Sequence, residues 1–280
     1  MFIDETFDIN NTENCHISIQ GNLNGYFFSI LDTHRKRLLL YTHWPFDEDT
    51  SPEEFNNRVS DLHKKDKYLS RQYATVTFAY SAPRYTIVPA SFFDPGDVKP
   101  YFTFNHELSE NEELFYNRLE SSDAVNIFAM PAGLKEKLSG WSGNIAYYNH
   151  ITPMVEHFVR NYAEADHKPK VMVNVHKGFV DVAVLKGNKL KLCNSYTFGD
   201  ERDFAYFVFS VFERLRLDRG ETGLILMGEI DKESAYFKLL EKYIRNIHFE
   251  KLPGQLSYDQ NFLDIEPHRI TNLINLALCE

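Results

Sequence analysis

The residues of this chain that could do chemistry are few and scattered. Asp32 and Asp181 each fall in the second strand of a three-strand run, where an isolated carboxylate facing a cleft could act as a base toward a small substrate. The plainer reading of both is an outward or turn-stabilising acid. Asp200-Glu201-x-Asp203 stands at a helix start, where acids complement the positive end of the helix dipole; this is preferred to a metal site. The 11 histidines show neither Hx₃H nor HExxH spacing, so no metal centre is expected. GxSxG, a catalytic-cysteine signature and GxxxxGK[ST] are all missing, so no residue is assigned a catalytic role. The 3 cysteines, Cys15, Cys193 and Cys279, lie far apart without CxxC spacing. They fit a reduced, cytoplasmic compartment, with Cys193 serving as a small hydrophobe in a strand.

Aromatic side chains are the other resource. Trp44-Pro45-Phe46, Phe92-Phe93, Tyr101-Phe102-x-Phe104 and Tyr147-Tyr148 are dense, and several fall in loop-like sequence. Aromatics on loops serve as docking anchors or pack beneath the loops as a satellite core. Residues 91–108, with Phe92, Phe93, Tyr101, Phe102 and Phe104, are the segment expected to meet a protein partner.

Bulk properties narrow the classes. Hydrophobic residues make up 43% of 280, including 23 Phe and 16 Tyr, enough for a sizeable core. A formal net charge of −10 repels phosphate backbones and argues against nucleic acid. The N-terminus, MFIDETFDINNTEN, is acidic and lacks the apolar core of a signal peptide. Residues 1–14 read as an arm, flexible or docked through Phe2, Ile3, Phe7 and Ile9. The sequence shows no apolar run of membrane-spanning length, so no membrane span is expected.

The elements that must position these residues are repeated. Residues 15–44 read as three strands: His16 to Gln20, Tyr26 to Asp32 and Arg37 to His43. Residues 170–198 repeat the pattern: Val171 to His176, Phe179 to Leu185 and Lys189 to Phe198. Asn24-Gly25 and Lys177-Gly178 mark the first hairpin of each copy, and positive φ angles are expected at Asn24-Gly25. Each meander runs into an acidic helix start, Ser51-Pro52-Glu53-Glu54 and Asp200. Strands follow at 72–80, 84–89, 123–130, 223–228 and 247–252. Helices follow at 132–138, 151–165, 232–244 and 268–278, with 94–108 loop-rich. This order predicts a duplicated α/β fold with a cleft between its halves. The lobes are set at 15–150 and 169–280, with a connecting helix and linker at 151–168, the polar stretch 164–169 being the boundary.

Three meandering strands, a helix, then alternating strands and helices resemble the ribonuclease-H-like unit. Two such units resemble the actin-like ATPase superfamily, with its sugar kinases and its PilM-type and FtsA-type scaffolds. HISIQGNLNGYFFSILD, RYTIVP, AMP and LILMGEI are similar to an uncharacterised bacterial family of that fold, common in Bacteroidetes. The resemblance implies two βββαβαβα-type lobes and, if any cofactor binds, ATP with Mg²⁺ held by the first hairpin of each lobe. In that superfamily an Asp-x-Gly loop brings backbone amides to the phosphates and a carboxylate to the metal. Here the first loop offers Gly21, Asn22, Asn24 and Gly25 without an aspartate. The second offers Asn174, His176, Lys177 and Gly178, with asparagine where aspartate belongs. The Gly-Gly of the adenosine segment is reduced to Gly228-Glu229. The expectation is a degenerate nucleotide site on a protein-binding scaffold, with nucleotide binding or weak ATPase activity in the cleft as the alternative.

Overall fold

The computed structural model describes residues 1–46, 50–139, 145–163 and 168–279. Residues 164–167 of the expected linker therefore lie outside the described residues. The N-terminal arm is docked. Phe2–Ile3 forms a short strand, β1, ahead of the meander β2 (Cys15–Asn22), β3 (Gly25–Asp32) and β4 (Arg37–Pro45). β1 pairs antiparallel with β4, Phe2 opposite Tyr41 and Ile3 opposite Leu40. Behind it, buried Asp4 accepts from Arg37 Nε at 2.7 Å, an ion pair that pins the arm to the start of β4.

The first hairpin departs from the expected turn. Gly25 pairs with Asn22 as the first residue of β3, and neither Asn24 nor Gly25 takes a positive φ. The loop is closed instead by Asn22 Oδ1 accepting from the Asn24 N–H at 2.8 Å, an Asx-type turn.

Ser51 caps α1 (Pro52–Lys65), its hydroxyl accepting from Glu54 N. β5 (Thr75–Tyr80) then returns parallel to β2. Between β5 and the last strand of this sheet the chain builds a small antiparallel sheet from β6 (Tyr85–Pro89), β7 (Glu112–Leu119) and β8 (Ala124–Pro131), in the order β6-β8-β7, with α2 (Val98–Thr103) between β6 and β7 in the chain. The stretch expected to be loop-rich thus contains α2. Its side chain Phe102 is buried with Val88, Val125, Ile127 and Ala129. α3 (Leu134–Leu138) and β9 (Ile145–Asn149) follow, completing a six-stranded sheet ordered β1-β4-β3-β2-β5-β9. Tyr147 and Tyr148 accordingly belong to a strand.

α4 (Ile151–Tyr162) leads into the second meander, β10 (Pro169–His176), β11 (Phe179–Lys186) and β12 (Lys189–Thr197). There Gly178 does supply a positive φ, +85°. α5 (Glu201–Arg214) is capped by Asp200, which accepts from Arg202 N and Asp203 N. Next come β13 (Gly223–Gly228), α6 (Ala235–Glu241), β14 (Ile247–Phe249) and α7 (Pro267–Leu276). The second sheet is ordered β12-β11-β10-β13-β14. The helix expected at 232–244 starts later: Asp231 stabilises the preceding turn and Ser234 caps α6.

The two sheets share a core. α4 buries Ile151, Met154, Val155, Phe158 and Val159 in one apolar cluster with β2 and β3 of the first sheet and with Met172, Ala183, Ile225 and Met227 of the second. Each large apolar side chain buried there contributes roughly 1.5–3 kcal/mol relative to exposure. α7 packs against α4 and β13, and also against β2 and β3 of the other lobe. Its Ile270 and Ile274 join Leu31 and Leu38 in a separate cluster. Among the described residues no helix is long and apolar enough to cross a membrane.

Candidate functional site

The carboxyl ends of β2, β10 and β13 point into the gap between the sheets, where ligands gather in open α/β structures. α7 closes its far side, leaving a cavity of about 340 Å³. Gln20 and Asn22 enter from β2, Asn174 and His176 from β10, and Gly228 and Glu229 from the end of β13. Phe27 and His43, stacked at 4.3 Å with planes 6° apart, form an aromatic wall beside Tyr41. From α7 come His268, Arg269 and Asn272.

Of the residues singled out in the sequence, Asn22, Asn174, His176, Gly228 and Glu229 line this cavity. Asn24, Lys177 and Gly178 are at the hairpin tips and not in its wall. Gly21 and Gly228 are glycines for packing reasons. A Cβ on Gly21 would lie 2.8 Å from Phe55 Cζ and 3.4 Å from Phe78 Cζ. A Cβ on Gly228 would lie 2.1 Å from the Val175 carbonyl oxygen, at a φ of +81°. Gly25 is crowded by the Trp44 carbonyl at 3.2 Å.

The polar character is mostly neutral. Arg269 is the one guanidinium in the cavity wall among the described residues, and it is paired with Asp231 at 3.3 Å and with Glu266. Burial lowers the His43 pKa, against an opposing pull from Glu229. Burial likewise lowers that of His268, whose Nε2 meets the Ile230 carbonyl at 2.5 Å. Burial pushes the Tyr41 hydroxyl up to about 12. The wall therefore presents the amides of Gln20, Asn22, Asn174 and Asn272, the imidazoles of His43, His176 and His268, the Tyr41 phenol, the Glu229 carboxylate and the paired Arg269 guanidinium.

Behind His176 lies a buried cluster that the sequence reading did not assemble. Asp181 is fully buried, which corrects its reading as an outward or turn acid. Its Oδ2 lies 2.9 Å from His150 Nε2, 2.8 Å from His176 Nε2 and 3.3 Å from Asn174 Nδ2, while Oδ1 accepts from the Ser195 hydroxyl. Sheet register makes the row: Asn174, Asp181 and Ser195 stand opposite one another on β10, β11 and β12. His150, at the β9–α4 junction, comes from the other lobe. Burial alone would raise the Asp181 pKa, but the two imidazoles outweigh it and hold the carboxyl well below its usual range. Burial keeps His150 neutral, overriding the pull of the same carboxylate. Asp32, by contrast, is a turn residue, accepting from Arg35 N at 2.8 Å.

The aromatic segment divides. Phe92 and Phe104 are 74% and 88% exposed, Phe93 and Tyr101 are half-buried, and Phe102 is wholly buried. Phe102 is therefore a core residue of the small sheet and unavailable for docking. Sequence reasoning also missed Phe27, Tyr41, His43, His268 and Arg269. Strand alternation puts Phe27 and Tyr41 on definable faces, but nothing local marks the face that meets a cleft.

Two lobes built on meandering sheets, with a cavity at the carboxyl ends of their inner strands, define the actin-like ATPase fold. Residues 4–247 match the model of a family described as "Protein of unknown function (DUF3822)", and the chain belongs to that family. A Bacteroides thetaiotaomicron protein with actin-like ATPase fold and unknown function superposes with a TM-score of 0.83 at 20% identity, covering 98% of this chain and 100% of that one. The PilM–PilN type IV pilus biogenesis complex gives a TM-score of 0.64 at 13% identity, covering 94% and 97%. The ethanolamine utilization protein EutJ from Carboxydothermus hydrogenoformans gives 0.51 at 10% identity, covering 94% and 90%. No curated protein matches the chain.

Proposed function

We propose that this chain is a cytoplasmic, non-catalytic scaffold of actin-like fold that works by binding another protein, its nucleotide hairpins degenerate. The observation that carries this reading is the occlusion of Gly21 and Gly228, two of the candidate phosphate glycines. A glycine that cradles a phosphate keeps its Cα open to incoming oxygens. The Cα of Gly21 faces the Phe55 ring, and that of Gly228 faces the Val175 backbone. The missing loop carboxylates and the prior pairing of Arg269 support the same conclusion. The similar fold found in the PilM–PilN type IV pilus biogenesis complex, an assembly of two proteins, supports a protein partner here. Phe92 and Phe104 are the exposed anchors for such a partner, with Phe93 and Tyr101 at the rim.

A second reading, nucleotide binding, is favoured by the cavity's position between both hairpins. One titration separates the two. A ligand at 100 times its Kd stabilises the folded state by about 2.7 kcal/mol. The scaffold reading expects no change in Tm at millimolar Mg-ATP. A saturable rise that disappears when Asn174 or Asn22 is replaced would overturn it.

A further inference from the structure

We propose that His150, His176 and Asp181 form a binding site for one divalent transition-metal ion of the zinc class, joining the two lobes at the wall of the cleft. Their ligand atoms, two imidazole nitrogens and one carboxylate oxygen, all lie within 4.8 Å of one another. Two nitrogens and one oxygen suit zinc, iron(II) or cobalt(II), and disfavour Mg²⁺ and Ca²⁺, which take oxygen ligands. Ligands of a tetrahedral ion with bonds of about 2.0–2.1 Å stand about 3.3–3.4 Å apart, so small side-chain shifts are needed to bring these atoms onto one ion. The observed separations from Asp181 Oδ2 are 2.9 Å to His150 Nε2 and 2.8 Å to His176 Nε2.

As the side chains stand, one imidazole nitrogen of the cluster faces both an acceptor and a donor. His176 Nε2 lies 2.8 Å from Asp181 Oδ2, which as an ionised carboxylate only accepts, and 2.8 Å from Asn174 Nδ2, which only donates. One ring nitrogen cannot donate to the first and accept from the second. Turning the Asn174 amide over places its oxygen 3.3 Å from the carboxylate oxygen, so that two acceptors meet. A cation removes the conflict, because it takes lone pairs from both imidazoles and from Asp181 and accepts the turned amide oxygen as a neighbour.

Part of a metal's outer shell is in place, while the buried His150 Nδ1 lacks a hydrogen-bond partner among the described residues. Ser195 holds Asp181 Oδ1 and leaves Oδ2 for the ion. Phe179 stacks on His176 at 4.2 Å and meets His150 edge-on at 5.8 Å, fixing both rings. His176 and Asn174 line the cavity, which offers the ion an entry path. The site draws His150 from the first lobe and His176 and Asp181 from the second, so occupation clamps the lobes together.

The test is to strip the full-length protein with a chelator and titrate it with Zn²⁺, and separately with Co²⁺ as a spectroscopic probe. Expected are one equivalent of zinc bound, a rise in Tm and cobalt d–d absorption. His176→Ala, at the cavity edge, should abolish all three, and Ser195→Ala should weaken affinity about 10–100-fold. Circular dichroism establishes that each variant folds. Failure of the folded wild type to bind zinc or cobalt overturns the proposal, as does binding that His176→Ala and Asp181→Asn leave unchanged. Neither result bears on the Mg-ATP titration.

Discussion

Replacing Gly228 by alanine tests whether this glycine serves the sheet or a ligand. Two costs follow from its geometry. A φ of +81° places an L residue in the left-handed region, at about 1–2 kcal/mol. The new Cβ would also lie 2.1 Å from the Val175 oxygen and 2.8 Å from the Val175 nitrogen. Those are backbone atoms of the neighbouring strand, so no rotamer change relieves the contact. Relief requires parting β10 from β13 at their carboxyl ends, which costs about 1–3 kcal/mol as overpacking does. It also breaks the hydrogen bond from Glu229 N to the Val175 carbonyl, 2.7 Å, for about 0.5–1.5 kcal/mol. The sum, about 2.5–6.5 kcal/mol, is a large part of the 5–15 kcal/mol typical of a folded domain. Gly178→Ala is the internal control. Its φ is +85°, but a Cβ there meets nothing within 4 Å, so only the conformational cost of about 1–2 kcal/mol remains. Urea denaturation of both variants measures the difference. Equal losses at the two positions, or a Gly228→Ala variant within about 1 kcal/mol of wild type, would refute the packing argument. The glycine would then be explained by a ligand, and nucleotide binding would regain support.

Two further outcomes are expected. Buried His16, held by Thr75 at 2.6 Å and by Ser18 and Thr77 at 3.0 Å each, has its pKa lowered by burial to about 4. Unfolded histidine titrates near 6.5, so between pH 6.5 and 4 the unfolded state binds the extra proton. Stability therefore falls as pH drops through that window, by about 3 kcal/mol in all. The stability difference between wild type and His16→Gln should shrink by that amount from pH 7 to pH 4, and a pH-independent difference would refute it. Phe102→Ala should cost about 3–5 kcal/mol, whereas Phe104→Ser should stay within about 0.5 kcal/mol yet weaken partner capture. Equal thermal stability of the two variants would contradict their assignment to core and surface.

The fold was legible because its signals are local. Alternation and apolar runs mark β2–β4 and β10–β12, and Ser51 and Asp200 mark helix starts that the structure retains. β7 and β9 escaped notice because they are covered mostly by tertiary contacts. β7 carries half-buried residues along most of its length, and β9 has only five residues with little alternation. The site was half legible for the same reason. Asn174 and His176 sit in a hairpin that a turn signal reveals, so their place in the cleft followed. His150 is separated from them by a helix and a strand, and only the packing of α4 against β11 brings it within reach of Asp181. Gly21 and Gly228 could be named from sequence as candidate phosphate glycines. What fills the space beside them, Phe55 and Val175, depends on how α1 and β10 are packed.

That packing also bears on whether the cleft could work as an ATPase cleft. Lobes that open and close around a ligand need an interface with few buried contacts, so that motion exposes little apolar surface. Here the connecting helix α4 is buried against both sheets, and α7 of the second half lies on β2 and β3 of the first. Spreading the lobes would expose Met172, Ala183, Ile225 and Met227 on one side and α4 on the other. It would also break the contact of Asn272 Nδ2 with the His150 carbonyl, 3.0 Å, and the buried His150–Asp181 pair. At roughly 1.5–3 kcal/mol for each large apolar side chain, a few such exposures match the whole stability of a domain. The small sheet of β6, β7 and β8 turns Tyr85, Leu119, Phe128 and Met130 into this shared core and builds a second apolar cluster with α2 on its other face, beside exposed Phe92 and Phe104. On the scaffold reading proposed above, a two-lobed body with this much shared core, bearing exposed aromatics beside its small sheet, holds a partner rather than cycling around a nucleotide.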